Sequence, residues 1–538
     1  MATRLTTILV IVIVGATFIA GLIVGAQRDD ANGPVDLIIV NGKVYPGGGA
    51  NIQEAVAVRG NQILRVGSNR DVKRLRRAQT VIVDAHGATV LPGLNDAHVQ
   101  LLAGALALQQ LDLSSAFTLD DLQSQLGEYA DEQPTRQWLL GRNGDADLFT
   151  APNVAARKIL DETVPDRAVL LTSADGKTAW ANSKALEKAR ISRKTRATTP
   201  GTIVKDRRTG EPTGVLKASA IALMTQVLPQ PSHPEKILAL RAAIDEAHRL
   251  GVTSVQTVNR TQEEIDLLNE IRQQGDLTMR VYGSLSVSAD VDDVTLAALD
   301  DLRAEYPDDP TLKLGGVEVV CSCDPVKLDR AVALLDKHNW HVMVRAADQQ
   351  DVHAALDAFE HAISANPVPA RGRRYRLEDI EAINEEDVAR LPRFSVIAEP
   401  FESDAAVAAS QLWVVLSDAG ARVLFGSNWP ASSFDPRDVI DDAVNAPPDR
   451  AAAPADLPAP PATPLPMRSV IDAYTAQAAY ASFDEHRKGT LAAGMLADIV
   501  ILSNDIFQNS PEPLKETSVA ITIFDGKIVY QHVPATSN

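Results

Sequence analysis

Cysteine is nearly absent from this chain: only Cys321 and Cys323 occur among its 538 residues. In a strand, side chains two positions apart point to the same face, where a disulfide between them is too constrained. Two neighbouring thiols also do not make a zinc site without further histidine or cysteine ligands. The sequence therefore predicts two small buried side chains and a fold that does not depend on disulfide bonds.

Positive charge is also scarce. The chain has 52 Lys and Arg against 70 Asp and Glu, which gives a formal net charge of -18 at pH 7. Nucleic-acid binding needs clustered cations that neutralise phosphates, and attraction to anionic lipid heads needs them as well. We therefore expect no nucleic-acid partner. The 45% of hydrophobic and 23% of charged residues are ordinary for a folded protein.

One long segment near the N-terminus has no charged residue at all. Residues 5–26 are 22 consecutive uncharged residues, which as a helix at roughly 1.5 Å per residue span about 33 Å, enough to cross a bilayer. Arg4 precedes the segment, which favours an N-terminus inside and a body outside the cytoplasm. We expect residues 1–27 to be a transmembrane anchor, with a periplasmic or cell-surface body and possible membrane-protein partners. A signal peptide cleaved after Ala26 is the alternative.

Both ends of the remaining chain are rich in strand patterns. Short β-branched runs broken by Gly and Asn occur in "VDLIIVNGKVYPGGG", "EAVAVRGNQILRVG" and "QTVIVDAHGATV", and again in "GTLAAGMLADIVILSND" and "SVAITIFDGKIVYQ". We therefore predict one discontinuous β-sandwich domain, built from residues 28–90 and 488–538.

The middle of the chain alternates short apolar strands with amphipathic helices, a pattern typical of parallel α/β folds. We predict eight strands and a (β/α)8 TIM barrel over residues 91–487. The predicted strands end at His98, Thr257, Ser284, Val320, Ala346, Asp379, Ala398 and Ser427. Residues 102–250 are too many for one connection and predict an inserted subdomain. The Pro/Ala-rich stretch 446–467 predicts an irregular surface loop.

Several motifs occur in an order and spacing that resemble a known family. They are "LPGLNDAHVQLLAG", "LTSADGKTAWANSKALEKARI", "GTIVKDRRTGEPTGVLKASAI", "GGVEVV", "VMVRAADQ", "YRLEDIEAI" and "VLFGSNWPASSFDP". Together they resemble the amidohydrolase superfamily, in the subgroup of N-substituted formamide deformylase, over roughly residues 35–530. The resemblance implies a metal-dependent hydrolase fold with a TIM barrel and a composite β-sandwich. It also implies one or two divalent cations at the mouth of the barrel, which activate water and polarise the scissile carbonyl.

The residues that the resemblance places at the metal centre are mostly of other types here. His98 keeps the first histidine of the His-x-His motif, and Glu318 falls on the position of the lysine, or its acidic equivalent, on the fourth strand. The other positions usually hold histidine or, at the last barrel strand, the catalytic aspartate. They hold Gln100, Lys177 in the inserted region, Arg345, Asp379 and Asn428.

These replacements remove the expected chemistry. Amide oxygens are weak zinc ligands, and arginine does not lose its proton and repels a dication. Asn428 has no basic group that accepts a proton from water, so a general base is missing. The sequence therefore predicts a degenerate cavity without a metal cofactor. An oxygen-rich Ca²⁺ or Mg²⁺ site made by Gln100, Glu318, Asp379 and Asn428 is an alternative, because hard cations accept such ligands. His98 itself is equally consistent with a hydrogen-bonded structural histidine.

Two functions follow from this pattern. The first is a membrane-anchored, non-catalytic binding or scaffold subunit, and the second is a hydrolase of non-peptide carbon–nitrogen bonds with a rebuilt site. In either case, carboxylates left without a metal need another cation. We predict that Arg345 lies between Glu318 and Asp379 in one layer of the barrel, and that its planar fork pairs with them.

Overall fold

The computed structural model describes residues 35–149, 155–196, 199–259, 261–320, 324–400, 406–445, 465–507 and 514–533. The predicted anchor at residues 1–27, both cysteines and residues 446–464 of the Pro/Ala-rich stretch lie outside these ranges. Within them, no helix has the length and apolar character needed to cross a membrane.

The strands are short and occur along the whole described chain. In chain order they are β1 Leu37–Val40, β2 Lys43–Val44, β3 Ala55–Arg59, β4 Gln62–Gly67, β5 Val81–Asp84, β6 Thr89–Pro92, β7 Leu94–Val99, β8 Leu111–Asp112, β9 Trp138–Gly144, β10 Ala168–Ser173, β11 Thr178–Ala181, β12 Thr202–Lys205, β13 Pro212–Lys217, β14 Val252–Asn259, β15 Arg280–Ser288, β16 Leu312–Val320, β17 His341–Arg345, β18 Arg376–Ile380, β19 Ile397–Pro400, β20 Arg422–Val423, β21 Ile499–Leu502, β22 Val519–Phe524 and β23 Lys527–Gln531.

The helices follow many of these strands. They are α1 Asn69–Lys73, α2 Leu101–Ala107, α3 Leu119–Glu132, α4 Ala156–Thr163, α5 Ser183–Lys188, α6 Ala222–Thr225, α7 His233–Arg249, α8 Gln262–Gln273, α9 Asp293–Glu305, α10 Pro325–Lys337, α11 Gln349–Ala365, α12 Glu385–Val388, α13 Arg390–Phe394, α14 Ala406–Asp418, α15 Pro436–Asn445, α16 Met467–Asp472 and α17 Ala478–Ala481, with a π-helical turn at Ala473–Gln477.

Eight parallel strands form the predicted barrel, in the order β7-β14-β15-β16-β17-β18-β19-β20. Hydrogen bonds close it between the first strand and the segment after the last: Ala97 N–H donates to Phe425 O (3.1 Å), and Asn428 N–H donates to His98 O (2.8 Å). Gly426 permits this approach, since a Cβ there would lie 2.5 Å from His98 Cβ. The TIM barrel predicted from the sequence is therefore confirmed.

Two further sheets pack on each other beside the barrel. One has the order β4-β3-β1-β5, and the other, β2-β6-β21-β22-β23, takes strands from both ends of the chain. Their facing side chains share one apolar core that includes Ile39, Val58, Ile499 and Ile523. This arrangement forms because the facing apolar sides of the two sheets are removed from water when they pack together.

The long connection after β7 contains a sheet of its own, with the order β12-β13-β11-β10-β9-β8. Alternate residues of β10 enter two different cores, Val169 and Leu171 on one face and Leu170 on the other, as the period of two in a strand requires. The flanking helices α2 and α7 instead contribute to the core of the barrel. The inserted sheet thus spans residues 111–217, which is shorter than the predicted insertion 102–250, because α2 and α7 pack in the barrel core.

Candidate functional site

Charged side chains meet at the carboxyl ends of the barrel strands, where active sites of this fold lie. We call this group the mouth cluster. Its members are His98 of β7, Glu318 of β16, Arg345 of β17, Arg376, Glu378 and Asp379 of β18, Glu399 of β19, and Asn428 with Gln100 at the closing seam. Except for Gln100 and Arg345, all of these residues are buried.

Strand β18 supplies three charged members of the cluster through its local backbone. Arg376 and Glu378 are two residues apart, so they face the same side of the sheet, and both are almost fully buried. Asp379 would face away in regular strand geometry, but its φ of 58° breaks the alternation. Aspartate tolerates this left-handed region better than most residues. Two successive carboxylates therefore reach one cluster.

Arg345 lies between the two predicted carboxylates. Its Nε is 3.1 Å from Glu318 Oε1 and 2.9 Å from Asp379 Oδ2. The predicted contact is therefore confirmed, and the guanidinium supplies a positive charge at the place where the resemblance implies a metal. The nearby carboxylates of Glu318 and Asp379 raise the pKa of Arg345 against the opposing effect of burial.

The geometry of this contact differs from the prediction in two ways. Glu318 stands opposite Met343 in the sheet, and Arg345 stands opposite Val320, so the two are not in one layer. Nε lies close to both carboxylates and donates the hydrogen bond to Glu318, whereas bidentate pairing through the planar fork was expected. The long arginine side chain reaches back along the barrel, which explains why contact occurs in spite of the offset.

Amide side chains take the places of a usual ligand and the usual catalytic aspartate. Asn428 Nδ2 donates to Asp379 Oδ1 (2.9 Å), and Gln100 Nε2 donates to Asn428 Oδ1 (3.3 Å). This chain of hydrogen bonds uses the amide of Asn428 as a donor toward the carboxylate. It orients Asp379, but it provides no base that accepts a proton from water.

His98 is surrounded by carboxylates. Its Nδ1 lies 3.6 Å from Glu399 Oε2 and 3.8 Å from Glu378 Oε1, and neither ring nitrogen has a hydrogen-bond partner among the described residues. Burial lowers the pKa of His98, but Glu378, Glu399 and Asp379 together raise it to about 10. These carboxylates favour the charged imidazolium form of His98, and a buried ring held by such contacts is compatible with the structural role that the sequence left open.

Two acids of the cluster, Asp379 and Glu318, and the neighbouring Asp96 hold protons more strongly than free carboxylates. Burial raises the pKa of Asp379 to about 6, although the positive charges of His98 and Arg345 oppose the shift. Burial likewise raises the pKa of Asp96 to about 6, against hydrogen bonds from Ser427. The pKa of Glu318 is raised by burial and by Glu378. Desolvation of the charged form is the shared cause.

Arg376 crosses the interior of the barrel beneath His98. Its terminal nitrogens donate to Ala97 O (2.6 Å) and Gln256 Oε1 (2.9 Å), and one lies 3.0 Å from Glu378 Oε1. The side chain is fully buried. It thereby connects β7, β14 and β18 from the inside and supplies a second permanent cation to the cluster.

The donor set does not fit the centre of one or two divalent cations that the resemblance implies. Two sets of three side chains, His98 with Asp379 and Glu399 or His98 with Glu318 and Glu378, have ligand atoms within 4.8 Å of one another. Each set has a single imidazole. The second oxygens of Glu318 and Glu378 are buried and unpaired, but their first oxygens already contact Arg345 and Arg376. Two guanidinium groups among the ligands repel a dication.

Lys177 is the one predicted site residue that lies elsewhere. It is exposed in the turn between β10 and β11, its N–H donates to Asp175, and its carbonyl accepts from Ala218 N–H. Within the described ranges no hydrogen bond or ion pair joins it to the mouth cluster.

Three members of the cluster, Arg376, Glu378 and Glu399, were not among the site residues predicted from the sequence. A charged residue inside an otherwise apolar strand is rarely buried without a partner. Arg376 and Glu378 at i and i+2, and Glu399 in "VIAEP", therefore carried a detectable signal.

The fold and the position of the cluster define a class: a (β/α)8 barrel with a composite β-sandwich and a polar site at the barrel mouth. A model of the amidohydrolase family matches residues 81–530. The chain belongs to the amidohydrolase family.

Relatives cover nearly the whole chain. Protein LONG AFTER FAR-RED 3 of Arabidopsis thaliana is 27% identical over 550 residues, covering 92% of this chain and 91% of that protein. N-substituted formamide deformylase of Arthrobacter pascens, the protein that typifies the predicted subgroup, is a distant homologue, 22% identical over 92% of this chain and 98% of its own length. The structure of a metal-dependent hydrolase from Pyrococcus furiosus superposes with a TM-score of 0.66 at 19% identity, covering 88% of this chain and 100% of that one, which shows the shared fold.

Proposed function

We propose that this chain is a non-hydrolytic member of the amidohydrolase family that binds a ligand or partner with its barrel mouth or outer surface. The observation that carries this proposal is the position of Arg345 Nε, 3.1 Å from Glu318 and 2.9 Å from Asp379. A guanidinium there neutralises two buried carboxylates at positions where the resemblance implies metal ligands. Asn428, where the family has its catalytic aspartate, donates to Asp379 and provides no general base.

The test is metal content together with hydrolysis. We expect the purified full-length protein to contain no stoichiometric zinc by elemental analysis, and to leave a panel of amide and N-formyl substrates intact. The reason is that one imidazole and two guanidiniums stand among the carboxylates. About one zinc per chain, whose removal abolishes a measured hydrolysis, would overturn the proposal.

A reconstructed site serves as the positive control. The variant Gln100→His, Arg345→His, Asp379→His and Asn428→Asp restores the residue types of the family's pattern on the same backbone. We expect it to take up zinc where the wild type does not, because three added imidazoles supply the donors that Zn²⁺ prefers. If both proteins stay free of zinc, loss of these four residues does not explain the missing metal.

One observation favours a second candidate, a carbon–nitrogen hydrolase with a rebuilt site. The pKa of Asp379 is raised to about 6 by burial, and carboxyl groups with such values act as acids or bases near neutral pH. Hydrolysis of an amide by the metal-free wild type, abolished in Asp379→Asn, would favour this candidate over the first.

We also propose that residues 5–26 anchor the protein in a membrane with its body outside the cytoplasm. The support is the 22-residue uncharged run after Arg4. In fractionated cells we expect the full chain to stay in the membrane pellet after carbonate washing, and a variant that begins at residue 35 to be released. Release of the full chain by carbonate would contradict the anchor, and a mature N-terminus after Ala26 would indicate cleavage.

A further inference from the structure

Arg345 uses only part of its hydrogen-bonding capacity within the protein. A guanidinium has five donor hydrogens, and here Nε donates the hydrogen bond to Glu318 and lies 2.9 Å from Asp379 Oδ2. Among the described residues, no hydrogen bond involves its two terminal amino groups. The side chain is 31% exposed, while Glu318 is 1% exposed. Arg345 therefore has an inner side fixed by carboxylates and an outer side with free donors.

We propose that the barrel mouth binds a carboxylate-bearing small molecule through the two terminal amino groups of Arg345. This inference rests on the proposed function, because Arg345 is accessible to a ligand only if no metal ion occupies the mouth. Two parallel N–H donors match the two oxygens of a carboxylate, which is the reason arginine recognises such groups in a bidentate manner.

The inner contacts prepare Arg345 for this task. A free arginine side chain loses much rotamer freedom when it binds a ligand. Here Glu318 and Asp379 already hold Nε, and Asn428 in turn orients Asp379 by its hydrogen bond of 2.9 Å. A ligand therefore meets a guanidinium whose position is fixed, and preorganisation of this kind favours affinity.

The charges of the cluster select an anion of low charge. Four carboxylates in ion-pair contact, Glu318, Glu378, Asp379 and Glu399, face three cations, His98, Arg345 and Arg376. One negative charge on a ligand can be accommodated beside an exposed guanidinium, whereas a dianion is repelled more strongly by the carboxylates behind it. This balance favours a monocarboxylate over inorganic phosphate.

The test compares carboxylates with their neutral amides on the full-length protein. Acetate with acetamide, and benzoate with benzamide, differ in charge but hardly in shape. Titration calorimetry at constant ionic strength should show binding of at least one carboxylate, and binding of its amide at least about tenfold weaker, as expected for loss of charge-assisted hydrogen bonds. Phosphate should bind more weakly than that carboxylate.

Three variants identify the group responsible. Arg345→Lys keeps the charge without the fork, Arg345→Gln removes both, and Arg272→Gln changes an arginine of similar exposure (34%) outside the cluster. We expect carboxylate affinity to fall about tenfold or more in Arg345→Lys, to be lost in Arg345→Gln and to be unchanged in Arg272→Gln. Circular dichroism identifies variants that remain folded, and Arg345→Lys decides the test if Arg345→Gln does not fold.

Several results would contradict the binding of a monocarboxylate by Arg345. Equal affinity for a carboxylate and its amide, unchanged affinity in Arg345→Lys, or no binding of either carboxylate overturns the inference, and tighter binding of phosphate contradicts the choice of a monocarboxylate. Zinc content and amide hydrolysis are measured on the same samples. Bound zinc or measurable hydrolysis would contradict the proposed function. A failure of the further inference would appear instead as carboxylate binding that is absent or does not depend on Arg345.

Discussion

Arg345→Ala is expected to lower the free energy of unfolding by about 3 kcal/mol. The substitution leaves Glu318, which is 1% exposed, and Asp379, which is 12% exposed, without the cation that lies 2.9 to 3.1 Å from them. An uncompensated buried charge is costly, and breaking a buried pair from one side costs roughly 3–5 kcal/mol. We expect the lower end, because Arg345 is itself 31% exposed and water can enter in its place.

Urea unfolding followed by tryptophan fluorescence measures this loss. Arg272→Ala is the matched control, since Arg272 and its partner Asp309 are each 34% exposed and such a pair contributes about 0–1 kcal/mol. Arg345→Lys should retain part of the stability. Equal unfolding midpoints for wild type and Arg345→Ala would show that the guanidinium does not stabilise the buried carboxylates.

Arg376→Met is expected to destabilise more, by roughly 4 kcal/mol, within the 3–5 kcal/mol typical of a buried pair broken from one side. Arg376 is fully buried and lies 3.0 Å from Glu378. It also donates to Ala97 O and Gln256 Oε1, which lose their donor in the variant. Methionine fills much of the volume, so the loss reflects charge and hydrogen bonds more than a cavity.

A second substitution separates these causes. Glu378→Gln added to Arg376→Met removes the carboxylate that lost its guanidinium, while Glu399 still pairs with His98, so the double variant should recover part of the lost stability. Arg393→Met is the control, because Arg393 is 67% exposed and its partner Glu360 is 44% exposed. A double variant that is less stable than Arg376→Met alone would show that the Glu378 charge is not the source of the cost.

Together these experiments probe one idea, that fixed protein cations have replaced a metal within an otherwise intact barrel. Such a replacement keeps the carboxylates of the mouth stable, but it removes the activated water and the Lewis acid on which metal-dependent hydrolysis depends. The same replacement leaves an arginine with free donors at the mouth, so the two proposals, loss of hydrolysis and binding of a carboxylate, depend on the same side chain.

Much of the fold followed from the sequence because strand periodicity and turn residues are local signals. The strands that carry His98, Thr257 and Glu318 were predicted close to their observed ends. The strand patterns near the N-terminus and the C-terminus of the chain predicted one domain built from both. In the structure, β6 from the N-terminal part pairs with β21 from the C-terminal part. The residue types at positions 100, 345, 379 and 428 led to the prediction of a mouth without metal, since that prediction depends on side-chain identity alone, and the zinc analysis tests it.

Tertiary structure decided how these side chains meet. The left-handed backbone of Asp379 turns its carboxylate toward Arg345, and this depends on the path of the chain after β18. Contact between Arg345 and Glu318 spans an offset of two residues between strands, which a pattern along one strand does not contain. Arg376 and Glu399 joined the cluster only through closure of the barrel, because long-range packing, and not local sequence, determines which buried charges become neighbours.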